Sequence, residues 1–151
     1  MNSFIKKLIK EEKVKLTEPS NEVTKSYLNK SNKSLLSSKT LIKIENFDDA
    51  TALTYYSMYY CILALLYKCG IKSENHTASI ILLKELFNIN NKEIEQAKKE
   101  RVDKQYYTDF QATKKEVLDG IKTAEEFNSL IRERIDFIKL NEIETIRKKL
   151  F

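Results

Sequence analysis

Arg101 is the residue whose type and place point most directly to chemistry. From Lys92 to about Phe110 the helical stripe Ile94, Ala97, Arg101, Gln105 sets its guanidinium in line with apolar positions, flanked by Val102 and Tyr106. A charge on the dry side of a helix is either paired in a half-buried site or placed at an interface. The chain has a single histidine, His76, at the opening of another helical stretch. The ordinary pKa of an imidazole suits general-base work near neutrality. The plainer reading of His76 is a helix-start residue hydrogen-bonded to a neighbouring loop or tyrosine. Tyr55, Tyr56, Tyr59 and Tyr60 crowd one short stretch. Such rings either pack in a core or dimer seam, which is the preferred reading, or stack on bases. Cys61 and Cys69 lie about 12 Å apart along one helix, too far for a disulfide. With one histidine there is no zinc-type ligand set, so neither a metal nor a cofactor is expected.

These side chains must be positioned by helices. Phe47 to Gly70 (FDDATALTYYSMYYCILALLYKCG) carries no charge from Ala50 to Tyr67, which marks an all-round-buried helix or a membrane span. Its many hydroxyls argue for the buried helix, because each would need a partner in hydrocarbon. Asn46 or Asp48 caps its start and Gly70 supplies a left-handed stop. Before it, Ser20 follows Pro19 as a cap, and Val23, Tyr27, Ser31, Leu35, Ser38 and Ile42 trace one face of a long helix. The small residues Ser31, Ser34 and Ser38 predict close helix–helix approach. After it, Ile71 to Asn75 reads as a tight connection, with Ser73 or Asn75 capping an apolar helix that ends at the turn Asn88 to Asn91. Thr113 and Glu116 form a capping box. Val117, Ile121, Ala124, Asn128, Ile131, Ile135 and Ile138 then make a coiled-coil-like seam, beside which Gly120 permits close contact.

The totals agree with an all-α protein. Two glycines and one proline in 151 residues leave little for hairpins. One domain spanning residues 1–151 is expected: an amphipathic arm over 1–18, a bundle over about 20–138, and a basic amphipathic tail over 140–151. The arm is built on Phe4, Ile5, Leu8 and Ile9, with the helix ending before Pro19, and has no apolar run long enough for a secretory signal. A cytoplasmic, reduced setting without a membrane is the plain reading. The net charge is +5, and residues 1 to 43 hold ten lysines against four glutamates, so the first quarter carries all of the excess. Lysine-rich faces are most often merely solvated; a nucleic acid or acidic partner is the alternative.

Four stretches together resemble a HEPN domain (higher eukaryotes and prokaryotes nucleotide-binding). TALTYYSMYYCILALLYKCGIK is similar to the family's "YYxmfyaalALLxxxGi", and ENHTASIILLKELF to its "ksHxxvixllxxxf". AKKERVDKQYY resembles "axxxRxxaDY", and TAEEFNSLI the closing "AxxFvxxi". The resemblance covers roughly residues 23 to 131 and is specific in combination. It implies an up-and-down four-helix bundle with additional terminal helices that forms a homodimer. It also implies a minimal nucleotidyltransferase as partner in a toxin–antitoxin-like pair, and RNA or a nucleotide as ligand.

In active members an R-x4-6-H motif puts Arg and His from each subunit at the dimer cleft, where RNA is cut without metal. The chemistry is consistent: His takes the 2′-OH proton and Arg steadies charge on phosphate. Arg101 matches the motif arginine. Tyr106 stands where the shortest motif has His, Val102 replaces the usual polar residue, and Gln105 replaces the Asp of "aDY". Thr108 stands where some related pairs carry a nucleotidylated Tyr, so modification of Tyr106 or Tyr107 is a minor reading. The nucleotide- or RNA-binding set is expected to be Arg101, Gln105, Lys98 and Lys104. Any catalytic set would be Arg101 with Tyr106 or His76. The expected function is a HEPN-type binding and assembly component without an intact nuclease motif. The alternatives are a metal-independent endoribonuclease toxin using Arg101 and a purely structural helical scaffold.

Overall fold

A computed structural model describes residues 1–106 and 111–150, apart from the side chains of Gln105 and Tyr106. The described elements run α1 (Ser3–Lys10), β1 (Val14–Leu16), α2 (Asn21–Lys43), α3 (Phe47–Lys68), β2 (Ile71–Ser73), α4 (His76–Phe87), α5 (Lys92–Tyr106), α6 (Lys114–Phe137) and α7 (Leu140–Lys148). The fold is an all-α bundle of the expected kind, and α3 is its axis. Tyr55, Met58, Cys61, Ile62, Leu65 and Leu66 all lie at 1% exposure or less, because α2, α4, α5 and α6 cover α3 on successive sides. Asn46 caps it by accepting from the Asp49 amide, and Asp48 and Asp49 suit its positive end. Its far end stops at Gly70, whose φ is +67°. A Cβ there would run into the Arg147 guanidinium and the Thr17 carbonyl, so glycine is required twice over.

The helix α2 meets α3 along a row of short hydroxyls at every seventh position. Thr24 Oγ1 donates to the Ala64 carbonyl (3.1 Å), Ser31 Oγ to that of Ser57 (2.6 Å), and Ser38 Oγ to that of Ala50 (2.8 Å). Small side chains let the two backbones approach, and each buried hydroxyl is satisfied. Ser31 and Ser38 behave as expected, Thr24 joins them, and Ser34 is only half-buried. Ser20 caps α2 and Asn75 caps α4. The capping box at Thr113 and Glu116 is present on α6, and the seam from Val117 to Ile135 is buried.

Two expectations need correction. Ile71 to Ser73 is not merely a connection. The helix α1 ends at Lys10, and β1 pairs antiparallel with β2 in the register Val14↔Ser73, Lys15↔Lys72, Leu16↔Ile71. Three-residue strands are too short to show a period, and this pair joins distant segments without a hairpin turn. The amphipathic C-terminal tail packs its apolar side inward. Ile143, Ile146 and Leu150 enter the core, and Arg147 Nη1 donates inward to the carbonyls of Thr17 (2.8 Å), Cys69 (3.0 Å) and Gly70 (2.8 Å). Gly120 is not a close-contact glycine: an added Cβ would meet only Thr54 Cγ2, at an ordinary 3.9 Å. The expected end of α5 near Phe110 lies outside the described residues.

Candidate functional site

The site is assembled where α5 and the start of α4 cross the tyrosine-rich middle of α3. Arg101 is half-buried. Its guanidinium carbon stands 5.1 Å from the Tyr55 ring centroid and 5.4 Å from that of Tyr56, and Nη1 donates to the Tyr56 hydroxyl at 3.3 Å. Two aromatic faces meet the guanidinium by cation–π attraction. The Tyr55 hydroxyl in turn meets His76 Nδ1 at 2.8 Å. The His76 ring lies flat on Tyr59, centroids 3.8 Å apart with planes 12° from parallel. One residue on, Thr77 Oγ1 accepts from Lys98 Nζ at 2.8 Å. Arg101, Lys98 and His76 therefore share one tyrosine-floored face.

Local sequence explains each placement. Asn75 accepts from the Ala78 amide and so starts α4 with His76 at its first position. Ser79 Oγ lies within hydrogen-bond reach of Ser73 Oγ (2.8 Å) and of the Asn75 carbonyl (3.0 Å), bracing that turn behind the imidazole. Lys98 and Arg101 lie three apart and so share a side of α5.

The electrostatics follow from burial among cations. The His76 pKa is held below its ordinary value, first by burial and then by the charges of Arg101 and Lys98. That of Lys98 is lowered by burial, then by Arg101, with Glu95 opposing. Burial pushes the Tyr55 phenol well up, so its proton stays. His76 Nδ1 is the one partner of that phenol among the described residues. With the phenol as donor, Nδ1 accepts and a neutral imidazole carries its hydrogen on Nε2; in the other tautomer Nδ1 donates to the phenol oxygen. The His76 imidazole thus lies within the field of a guanidinium and an ammonium. That arrangement is a donor set for an anion.

The other expected residues fall elsewhere. Lys104 is directed to α6: its Nζ lies 3.3 Å from Glu116 Oε2 and 3.2 Å from the Gln111 carbonyl. The structure therefore does not bring it to the Arg101 face. The side chains of Gln105 and Tyr106, and all of Tyr107 and Thr108, lie outside the described residues. A cavity of about 430 Å³ opens between α3, α5 and α6, lined by Glu93, Glu100, Glu116 and Asp119 with Lys92; its sign suits no phosphate. Cys61 and Cys69 are free and buried, and burial pushes the Cys69 thiol up to about 12, so neither is a ready nucleophile. Among the described residues no cluster of His, Cys, Asp and Glu could hold a metal ion. No helix among them is long and apolar enough to cross a membrane. The sequence showed Tyr55 and Tyr56 only as packing or base-stacking rings and gave no sign that they face Arg101. Their pairing with Arg101 spans about 45 positions, for which local spacing gives no signal.

Fold and site together define a helical-bundle protein with a cationic, tyrosine-floored face where two of its helices cross a third. Residues 24–134 match the family model of the HEPN domain. The chain belongs to the HEPN domain family. No curated protein matches it.

Proposed function

We propose that this HEPN-family chain is a phosphate-recognising binding and assembly component. It acts as a homodimer, beside a minimal nucleotidyltransferase in a toxin–antitoxin-like pair, with RNA or a nucleotide as ligand. The observation that carries the reading is the Arg101 guanidinium poised over Tyr55 and Tyr56, with Lys98 and the His76 imidazole on the same face. Arg presents a planar fork that matches phosphate, and cation–π packing fixes that fork before the ligand arrives. The partner and the pairing rest on the resemblance to small HEPN proteins. Co-purification of the chain with a nucleotidyltransferase from a neighbouring reading frame tests them.

The binding reading is tested by titrating a short RNA and ATP against the purified protein at fixed salt. Loss of one charge-assisted contact predicts that Arg101→Ala weakens binding roughly tenfold or more. Arg101→Lys recovers little, because an ammonium cannot reproduce the fork. No binding by the wild type would leave a structural scaffold.

A second reading, metal-independent RNA cleavage, is favoured by one observation: His76 sits with Arg101 around Tyr55. For His76 to take a 2′-OH proton, Nδ1 must instead donate to the Tyr55 oxygen and leave Nε2 bare. The phenol's own proton then needs another acceptor, which makes binding the better reading. The expected result is intact RNA after incubation in chelator. Cleavage that Arg101→Ala abolishes would reverse the order of the two readings.

A further inference from the structure

The tyrosines do not end at the Arg101 site. Tyr56 lies 6.1 Å from Tyr60, Tyr60 lies 6.0 Å from Tyr27, and Tyr27 lies 5.6 Å from Tyr67, with successive planes 19° to 28° apart. These four rings form one terraced row along the seam of α2 and α3, and all four are half-buried. They differ from Tyr55 and Tyr59, which are buried with bonded hydroxyls. Among the described residues no hydrogen bond takes up the hydroxyls of Tyr27, Tyr60 or Tyr67. A ring needed only as core filling would be buried, and a leucine would serve.

The row is also cationic. Lys30, which is exposed, holds its Nζ 5.5 Å from the Tyr27 centroid and 5.7 Å from that of Tyr60. The helix α2 carries five lysines against one acid, Glu22. Lys25, Lys30 and Lys33 have no acidic partner among the described residues. At the Tyr56 end the row abuts the Arg101 guanidinium. Offset aromatic faces with cations beside them are what single-stranded nucleic acid uses: bases stack on the rings and phosphates meet the charges.

We propose that Tyr56, Tyr60, Tyr27 and Tyr67, with Lys30, form a track for single-stranded nucleic acid that runs along the α2–α3 seam to Arg101. The track rests on the phosphate reading of Arg101 only for where the strand ends. Stacking uses no 2′-OH, so the track accepts RNA and DNA alike and tolerates sequence. Mononucleotides and dinucleotides bind at Arg101 alone.

The test uses the full chain with an oligouridylate of about ten nucleotides, its deoxy counterpart and a dinucleotide. The protein has no tryptophan, so its own tyrosine fluorescence reports stacking. The decamers are expected to quench that signal and to bind more tightly than the dinucleotide. Tyr27→Leu and Tyr60→Leu weaken the decamers roughly tenfold and leave the dinucleotide unchanged. Lys30→Gln lowers the slope of log affinity against log salt by about 0.7. This side chain is exposed, so that arm stands if a tyrosine variant fails to fold. Length-independent affinity, no decamer binding, or variants at the wild-type level would overturn the track. So would a dimer turned monomeric by the tyrosine variants at unchanged affinity, which would make the row a seam between copies. Arg101→Ala leaving the dinucleotide untouched while the track variants still act would instead sink the Arg101 reading alone.

Discussion

Arg101 and His76 are coupled through tyrosines, and this decides what each can do. The guanidinium lies over Tyr55 and Tyr56, while the imidazole is bonded to Tyr55 and stacked on Tyr59. Arg101 was conspicuous in the sequence because a charge interrupts an apolar stripe; what it faces was not legible there. The single histidine gives a clean experiment, since its ring protons are resolved in a proton NMR spectrum without assignment. Its titration midpoint is expected below the ordinary 6.5, and Arg101→Ala is expected to move it upward by removing a nearby positive charge. A midpoint at or above the ordinary value would contradict the buried, cation-flanked geometry. The sign for stability follows from the same shift. A base whose folded pKa is lowered prefers to stay neutral when folded, so the unfolded chain binds more protons as the pH drops below about 6.5. His76 contributes stability above that pH and loses it as the pH falls toward its folded value. Thermal melts from about pH 7 to pH 5 are therefore expected to fall more steeply for the wild type than for His76→Gln.

At the scale of elements, the contact of α2 with α3 is where small side chains matter most. Ser31 is 1% exposed and donates to the Ser57 carbonyl at 2.6 Å. Ser31→Ala removes that bond with little change of volume and is expected to cost about 1 kcal/mol. Ser31→Val also forces the helices apart, for about 1–3 kcal/mol. Urea unfolding measures both, with Leu36→Ala as a control because Leu36 is 66% exposed; that change should stay within about 0.5 kcal/mol. A harmless Ser31→Val would mean that the backbones are not in close approach. The long helices were legible because they show their period, and α2, α3, α4 and α6 also show a cap. The strands β1 and β2 were not, because three residues carry no pattern and their pairing joins positions about sixty residues apart.

At the scale of the molecule, the two ends of the chain are locked to its middle. Strand β1 pairs with β2, and Arg147 of α7 binds the carbonyls of Thr17, Cys69 and Gly70 at that junction. Ile143, Ile146 and Leu150 bring α7 into the same core as Ile5 and Leu8 of α1. Burying each of these three side chains is worth about 1.5–3 kcal/mol, so the sum is comparable with the roughly 5–15 kcal/mol that holds a domain together. Truncation after Lys139 is expected to abolish cooperative unfolding or to lower the melting temperature by more than about 10 °C. Hydrogen exchange should show protection lost first at Leu16 and Ile71. A truncated chain that melts like the full one would show that α7 is an accessory.

Composition and periodicity settled that this protein is a helical bundle about one all-round apolar helix, because a burial pattern repeated over many turns leaves few alternatives. Its caps and the anomaly of Arg101 were equally local, written in residues a turn or two apart. Only the tertiary structure decided that Arg101, Lys98 and His76 share a face, that Lys104 turns to Glu116, and that the tail closes the fold through Arg147. These are meetings between segments tens of residues apart. They are fixed by how helices cross and pack, and no local spacing encodes a crossing.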